Sequence, residues 1–371
     1  MKKRTRLHTF LSLLIAILIF GNTVACSVEN EEEMPTHTES ESVTESEAKE
    51  SEKEDDELPE KSIDIYLIAG QSNATGYSVI SDREAAYAWA PELQTGFTNI
   101  HYAGNSRSNG AGDRDRDIAW QNVCLGLGAN SDLFGPEAGM AKAMSEYYNE
   151  ENGKHAGFIK YAFGGSSLLN RTDGPTHRDG NWVSPSYKET LGSGVVDGVT
   201  GKLYENFLEQ VARNISELES YGGYTTVNIR GLYWMQGCTD REDPIEYETA
   251  FAYFADDIRW DLSAILKEYT GTDNDCGASE MPIIVGTISQ THNLKDENTE
   301  DINIEFIEIQ KGFPMMIDDC YVVDNAAYPM THWENGKVVV LGSDQWHWNQ
   351  EDALAIGANV GKQFLTLLPE D

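Results

Sequence analysis

Short apolar runs alternate with helical patterns along this chain, and this alternation constrains the fold more than any other feature. Runs with the length and composition of strands occur five times, at residues 63–69, 157–163, 227–235, 282–289 and 320–324. Helices are predicted between and after them, at about 202–218, 244–268 and 350–368. Strands separated by helices predict a parallel β-sheet with helices on both faces, in one α/β domain that spans residues 61–371.

The first of these strands ends in a turn that contains a serine. Residues 65–69 are apolar and lead into Gly70, Gln71, Ser72 and Asn73. Ligands of open α/β sheets bind beyond the carboxyl ends of the strands, and the N–H groups at a helix start favour a developing oxyanion. Ser72 is therefore a candidate nucleophile. The tetrapeptide alone fits a helix cap equally well, and it lacks the second glycine of the G-x-S-x-G elbow.

A nucleophilic serine needs a base and a carboxylate that orients the base, and the far end of the chain offers both. Asp344 and His347 stand three residues apart in a polar loop just before the last predicted helix. Both side chains can converge on one tight turn. The alternative is that Asp344 caps the helix and His347 is only exposed.

Read with the segments between them, these two ends resemble the SGNH-hydrolase superfamily, and within it the sialate O-acetylesterase-like branch that includes the acetylxylan esterases of carbohydrate esterase family six. Five blocks in the family's order, over about 285 residues, carry the resemblance: Leu-Ile-Ala-Gly-Gln-Ser-Asn (67–73), Phe-Gly-Pro-Glu (134–137), Phe-Gly-Gly-Ser-Ser-Leu (163–168), Trp-Met-Gln-Gly-Cys-Thr-Asp (234–240) and Asp-Gln-Trp-His (344–347). The resemblance implies the three-layer, flavodoxin-like SGNH fold. It also implies a serine esterase that removes acetyl groups from xylan, another plant polysaccharide or sialic acid.

The resemblance assigns a role to each candidate residue. Ser72 would attack the ester carbonyl, His347 would accept its proton, and Asp344 would fix the imidazole tautomer. The oxyanion would be bound by the backbone N–H groups of Ser72 and Gly165 and by the side-chain amide of Gln236. Gly165 is preferred to its neighbour because the turn leaves it nearer to the cleft. The scheme requires no cofactor.

One position departs from the family pattern. The family's Gln-Gly-Glu block carries an acidic residue that is Cys238 here, and a thiol is mostly protonated at neutral pH. Asp344 must then orient His347 alone. Two alternatives remain open: an acyltransferase that passes the acetyl group to a sugar hydroxyl, and a non-catalytic surface protein that binds carbohydrate.

Metal binding is not expected. The alternating run at 113–117 imitates the start of a calcium loop, but Ile118 stands where glycine is needed and Cys124 where glutamate is needed. The scattered histidines lack the spacing of zinc ligands; they are His101, His155, His177, His292 and His332. No metal site is therefore predicted.

The N-terminus predicts export. Four basic residues within 2–6 precede an apolar stretch at 10–20, the pattern of a secretory signal peptide. Thr23 to Cys26 resembles a bacterial lipoprotein processing site, so residues 1–25 are predicted as the signal and Cys26 as the lipidated residue that anchors the chain to a membrane. The alternatives are ordinary cleavage near Ala25 or an uncleaved anchor.

Residues 26–60 are predicted to be a disordered acidic tether. From Ser27 to Glu60 there are 15 Asp or Glu and 2 Lys or Arg, a net charge of −13. Of the total of −35, the signal contributes +4, which leaves −26 on residues 61–371. This acidity argues against nucleic acid as a partner. Binding of a basic partner by the tether is the alternative, and the sequence carries no signal for oligomeric state.

Two long polar insertions, at 102–130 and 170–201, are predicted to build the substrate wall as loops. Four tryptophans in or near the predicted loops are candidates for packing on sugar rings, the alternative being that each covers core: Trp120, Trp182, Trp346 and Trp348. In an exported domain, four cysteines could pair, although their spacing specifies no pairing: Cys124, Cys238, Cys276 and Cys320.

Overall fold

The computed structural model describes residues 60–107, 116–171, 180–334, 337–340 and 342–369. The predicted signal peptide, the lipidation site Cys26 and the acidic tether up to residue 59 lie outside the described residues, as do His177 and residues 113–115. These predictions stay predictions. Lys61–Asp371 forms one compact unit.

A seven-stranded sheet organises this unit. The strands are β1 (Ser62–Gly70), β2 (Ser78–Val79), β3 (Ile100–Arg107), β4 (Arg116–Asn122), β5 (Leu133–Phe134), β6 (Ala156–Phe163), β7 (Thr226–Met235), β8 (Ile283–Gly286), β9 (Cys320–Val323), β10 (Thr331–Glu334) and β11 (Lys337–Val340). The order in the main sheet is β4-β3-β6-β1-β7-β8-β9, while β2 pairs with β5 and β10 with β11. Only β4 runs antiparallel to its neighbour in the main sheet.

Helices connect the strands. They are α1 (Ser72–Thr75), α2 (Arg83–Trp89), α3 (Glu92–Thr95), α4 (Pro136–Met144), α5 (Pro185–Thr190), α6 (Lys202–Ser216), α7 (Leu218–Gly222), α8 (Pro244–Thr270), α9 (Glu297–Gly312) and α10 (Gln350–Leu365). Short 3₁₀ turns occupy Gly192–Gly194, Ala278–Glu280 and Phe313–Met315. No helix in the described part of the chain is long and apolar enough to cross a membrane.

The predicted α/β fold is confirmed. Without the edge pair β3–β4, the sheet order is β6-β1-β7-β8-β9, which is the 2-1-3-4-5 order of flavodoxin-like folds. In this order the connections leave β1 towards opposite sides, so the crevice lies where β1 and β7 end side by side. Their register pairs Gly70 with Met235, the last residue of each strand.

Both faces of the sheet are covered by helices. On one face Tyr66 of β1 packs on Phe364 of α10, with ring centroids 4.9 Å apart. On the other face Trp234 of β7 packs on Phe254 of α8 at 4.4 Å. On the first face α4 and α10 approach closely, since a Cβ on Gly139 would lie 2.2 Å from the carbonyl oxygen of Leu354. These contacts make the three layers that the resemblance implied.

The prediction that residues 102–130 form a loop is wrong in part. Residues 100–107 and 116–122 are β3 and β4, an edge hairpin of the main sheet. In β4 only Ile118 and Trp120 are buried, and the exposed residues Asp117, Ala119 and Gln121 alternate with them. This composition hid the strand, because a half-buried edge strand needs apolar residues on one face alone.

Candidate active site

The serine turn is held by the end of the neighbouring strand. At the last residue of β1 the backbone has φ 137°, and a Cβ on Gly70 would lie 2.1 Å from the carbonyl oxygen of Met235. The next residue, Gln71, donates its N–H to the same carbonyl at 2.9 Å and accepts the N–H of Gly237 on its side-chain oxygen at 3.1 Å. Only glycine fits at position 70, because its backbone touches β7 directly.

Ser72 is the first residue of α1. The short helix ends at Thr75, and the next residue, Gly76, donates its N–H to the carbonyl of Ser72 at 2.9 Å. Ser72 is 9% exposed, so the hydroxyl lies just below the surface. Within the described residues the N–H of Ser72 has no hydrogen-bond acceptor, which leaves it available to an oxygen of a bound molecule.

Asp344 and His347 form a tight pair in the loop before α10. One carboxylate oxygen of Asp344 accepts the backbone N–H groups of Trp346 and His347 at 2.7 and 2.9 Å. The other oxygen lies 2.7 Å from Nδ1 of His347. The convergence predicted for a single turn is therefore present, and the carboxylate does not cap α10, whose cap is Asn349.

The electrostatics of the pair define the imidazole tautomer. Burial acts to raise the pKa of Asp344, but the hydrogen bond and charge of His347 and the two backbone N–H groups outweigh it and lower that pKa. An ionised carboxylate only accepts, so Nδ1 carries the proton in the bond to Asp344. In the neutral ring Nε2 then has its lone pair free, which is the form that a general base requires.

The serine helix and the histidine loop touch. Asn73, next to the serine, donates its side-chain amide to the carbonyl of Trp346, next to the histidine, at 3.2 Å. Tyr77 stacks on the His347 ring with centroids 4.8 Å apart and planes at 17°. The N–H of Val79 reaches the hydroxyl of Ser343 at 3.1 Å. Two segments that are far apart in sequence thus form one wall of the crevice.

The third predicted element is the glycine turn after β6. Gly165 adopts φ 69°, and the chain then turns back so that the N–H of Ser166 reaches the carbonyl of Phe163 at 3.3 Å. In the part of the chain that the structure describes, the N–H of Gly165 has no acceptor, and the residue is partly exposed whereas Gly164 is buried. These properties favour Gly165 over Gly164 as an oxyanion donor, although its role stays a prediction.

The side-chain amide of Gln236 already has two partners. Its nitrogen donates to the carbonyl of Ser166 at 3.1 Å and to a carboxylate oxygen of Asp240 at 2.7 Å. The side-chain oxygen is buried without a partner among the described residues. Both amide protons are thus in use, so an oxyanion at this nitrogen would have to compete with one of these acceptors.

Asp240 is a site residue to which the sequence analysis assigned no role. It is fully buried, and burial raises its pKa, with the four hydrogen-bond donors around it acting in the opposite direction. It stands in the quoted 234–240 block, two residues after the departure at Cys238. That position inside the block was the available signal.

Cys238 itself is buried and inert. Its side chain is 3% exposed, and burial, which outweighs the nearby charge of Arg241, raises the pKa of its thiol to about 12. The thiol therefore stays protonated at neutral pH and provides no substitute for a carboxylate. All four cysteines of the described unit are free thiols.

Of the four tryptophans that were candidates for packing on sugar rings, three are in the core. Trp120, Trp182 and Trp348 are 8%, 0% and 3% exposed, so the core alternative holds for them. Trp346 is 43% exposed and adjoins His347. It alone of the four presents an indole face beside the candidate base.

A buried ion pair supports the serine helix from behind. Lys160 of β6 and Glu137 of α4 are both fully buried, with Nζ 2.9 Å from the carboxylate oxygen. The ammonium also donates to the carbonyls of Thr75 at 2.9 Å and Leu127 at 3.0 Å. Glu137 accepts the N–H of Gly135 at 2.9 Å, at the start of α4. The pair holds the end of α1 against the sheet.

Within the described residues no group of three or more His, Cys, Asp or Glu side chains is placed to hold a metal ion. His101 and His155 instead lie together with Tyr224, whose hydroxyl is 2.7 Å from Nε2 of His101 and 3.1 Å from Nδ1 of His155. His292 is buried beside Met330. These histidines are packed into hydrogen-bonded or apolar surroundings.

Comparison with known proteins gives one family and several solved structures with some similarity to this chain. A family model described as carbohydrate esterase, sialic acid-specific acetylesterase matches residues 62–366. The solved structure of NanS is similar to this chain with a TM-score of 0.50 and 14% identity, over 83% of this chain and 98% of that one. A carbohydrate acetylesterase from Xanthomonas citri has a TM-score of 0.41 and 12% identity over 81% and 54% of the two chains. One from Sinorhizobium meliloti has 0.40 and 10% over 82% and 99%. No curated protein matches the sequence.

Proposed function

The chain belongs to the carbohydrate esterase, sialic acid-specific acetylesterase family, and we propose that it hydrolyses O-acetyl esters of carbohydrates through a Ser72–His347–Asp344 triad. The observation that carries the triad is the 2.7 Å contact between Asp344 and His347, in a loop that also touches the residue next to Ser72. A paired carboxylate and imidazole beside a serine at a helix start is the arrangement that acyl transfer needs.

In the proposed reaction the hydroxyl oxygen of Ser72 attacks the acetyl carbonyl, and Nε2 of His347 takes the proton. The tetrahedral oxyanion is bound by the N–H groups of Ser72 and Gly165, with the amide of Gln236 as the third donor. The histidine then gives its proton to the departing sugar hydroxyl, which leaves an acetyl-serine. Water, deprotonated by the same histidine, releases acetate and restores the serine. Loss of one oxyanion donor typically lowers kcat about 10²–10³-fold.

The test is acetate release by residues 61–371 from 4-nitrophenyl acetate, acetylated xylan and O-acetylated sialic acid. We expect turnover by the wild type and its loss, to the background rate, in Ser72→Ala and His347→Ala. The two sugar substrates decide the substrate class, which the proposal leaves as acetylxylan or O-acetyl sialate. Absence of release from every acetylated sugar, with binding retained in Ser72→Ala, would replace the esterase with a carbohydrate-binding protein.

We further propose that the enzyme is exported and bound to the outer face of a membrane by a lipid on Cys26, with residues 26–60 as a spacer. The basic residues at 2–6, the apolar stretch at 10–20 and the acidic composition after Cys26 support this. Cell fractionation tests it. Wild type is expected in the membrane fraction, and Cys26→Ser is expected to lose the lipid mass. An unmodified Cys26 in the mature chain would exclude the anchor.

A further inference from the structure

We propose that Asp240 is a positioning residue of the oxyanion hole: it orients the side-chain amide of Gln236 and holds the turn that follows Gly165. The inference rests on the proposed function, since it concerns how the same site stabilises the transition state. Asp240 touches no reacting atom in this scheme and acts through Gln236 and the turn after Gly165.

Four donors converge on the carboxylate of Asp240. Asp240 is fully buried. It accepts the N–H of Leu168 at 2.8 Å, the amide of Gln236 at 2.7 Å, Nε of Arg171 at 3.1 Å and the hydroxyl of Ser167. A buried carboxylate is tolerated only when it is paired and hydrogen-bonded in this way.

The orientation of the Gln236 side-chain amide is fixed by its hydrogen-bond partners. An amide side chain can flip, and only its hydrogen-bond partners decide which end is nitrogen. Here the two atoms that face one end are a carboxylate oxygen of Asp240 and the carbonyl oxygen of Ser166, and both are acceptors. The nitrogen must therefore lie at that end. In this orientation the side-chain oxygen of Gln236 is buried without a partner among the described residues. The two bonds of the nitrogen therefore outweigh the cost of one unsatisfied oxygen.

An oxyanion would compete with two existing acceptors for the amide nitrogen of Gln236. The bond to Asp240 is short and charge-assisted, whereas the bond to Ser166 is 3.1 Å long and goes to a neutral carbonyl. A developing oxyanion near Ser166 displaces the weaker of the two. Asp240 keeps the amide in place while the exchange occurs, because the stronger bond is not the one that is given up.

Asp240 is also bonded to the residues that follow the glycine turn. Ser167 and Leu168 stand two and three residues after Gly165, and both donate to Asp240. The indole N–H of Trp182 fixes the hydroxyl of Ser166 at 2.8 Å. The carboxylate thus joins the loop after β6 to the loop after β7, which are separated by about 70 residues in sequence and carry two of the three proposed oxyanion donors.

The test compares Asp240→Asn with Asp257→Asn in the full chain. Asp257 is a matched control: it is 1% exposed, lies on α8, and accepts both the N–H and the hydroxyl of Ser186 at 2.7 Å. An asparagine at 240 places an N–H₂ against donors and releases Gln236. We expect kcat to fall about 10²-fold or more with KM changed less than about threefold in Asp240→Asn, and kcat to stay within about twofold in Asp257→Asn.

A double-mutant cycle separates positioning from a general structural effect. If Asp240 acts through Gln236, the variant with both Asp240→Asn and Gln236→Ala should be no slower than the slower of the two single variants. Multiplicative losses, or a kcat unchanged in Asp240→Asn, would overturn the inference. If Asp240→Asn does not fold, Ser167→Ala removes one donor while keeping the carboxylate. It should lower kcat several-fold at constant KM, and an unchanged kcat would count against the proposal.

A readout without turnover keeps the inference apart from the proposed function. With ¹⁵N-glutamine labelling, the side-chain amide protons of Gln236 should exchange slowly in the wild type and in Asp257→Asn, and rapidly in Asp240→Asn. Equal exchange in all three would show that Asp240 does not hold the amide. A wild type that releases no acetate but shows the expected exchange pattern would refute the esterase and leave the positioning of Gln236 standing.

Discussion

At the scale of single residues, the candidate site depends on pairs whose members are unremarkable alone. Asp344 precedes α10 and could have capped it, but Asn349 is the cap. The carboxylate of Asp344 instead hydrogen-bonds to Trp346 and His347. The family resemblance placed Ser72, Gly165 and Gln236 in one site, and their positions at three strand ends agree with that grouping. It did not predict that Gln236 would already be bonded to Asp240.

Replacement of Asp344 by asparagine tests the tautomer argument. An asparagine amide can face Nδ1 of His347 with its N–H₂, which favours the ring with its proton on Nε2 and removes the base. We expect kcat for acetate release to fall about 10³–10⁴-fold with little change in KM, measured with 4-nitrophenyl acetate.

The control for this prediction is Asp352→Asn. Asp352 lies in the first turn of α10 and is bonded to Asn349, so it shares the neighbourhood of the pair without touching the imidazole. Its kcat should stay near the wild-type value. Similar losses in both variants would mean that the loop, and not the tautomer, limits the rate.

At the scale of elements, the serine helix is too short to be stable alone and depends on what lies behind it. Helix α1 has four residues, and its last carbonyl is bonded to the ammonium of Lys160. Strand β6 is buried along its whole length, so this lysine sits where an apolar residue would be expected. The lysine is explained by its partners: Glu137 of α4 and two backbone carbonyls.

Breaking this pair should destabilise the domain. Lys160→Met leaves Glu137 as an unpaired buried charge, and we expect the free energy of unfolding to fall by about 3–5 kcal/mol. Chemical unfolding in urea measures it. The variant with both Lys160→Met and Glu137→Leu should recover much of the loss, because no uncompensated charge remains.

The comparison for the buried pair is the exposed pair of Arg213 and Asp117, whose side chains are 37% and 49% exposed. Removal of Arg213 by substitution with methionine should cost less than about 1 kcal/mol. If both ion pairs proved equally weak, burial of Lys160 would not be what stabilises the end of α1.

At the scale of the whole molecule, buried neutral histidines make stability depend on pH. Burial lowers the pKa of His101 from 6.5 to about 4 and that of His292 from 6.5 to about 3. Between pH 6.5 and 4 the unfolded chain binds a proton at each, whereas the folded chain does not. Above pH 6.5 these two histidines therefore do not lower the free energy of unfolding. As the pH falls below 6.5, the free energy of unfolding decreases by about 1.4 kcal/mol per pH unit for each histidine. The lowered pKa of Asp344 adds a further loss below its ordinary value of 3.8.

Urea unfolding at intervals from pH 7 to pH 4.5 measures this dependence. His101→Gln should flatten the slope by about one proton's worth, whatever it does to stability at pH 7, because the unfolded chain then has one group fewer to protonate. A slope equal to that of the wild type would contradict the assignment of the acid loss to His101.

What the sequence determined by itself is the order and type of most elements and the candidates for the reactive side chains. The five predicted strands all occur, with ends that differ by at most three residues, because strand and helix periodicity is set by near neighbours. Tertiary structure alone decided the rest. The edge hairpin β3–β4 depends on β6, Lys160 on Glu137, and Asp240 on Leu168 in the loop after β6. Each of these partners lies more than about 20 residues away in sequence. Periodicity cannot encode such contacts, since burial and hydrogen bonding are properties of the assembled layers.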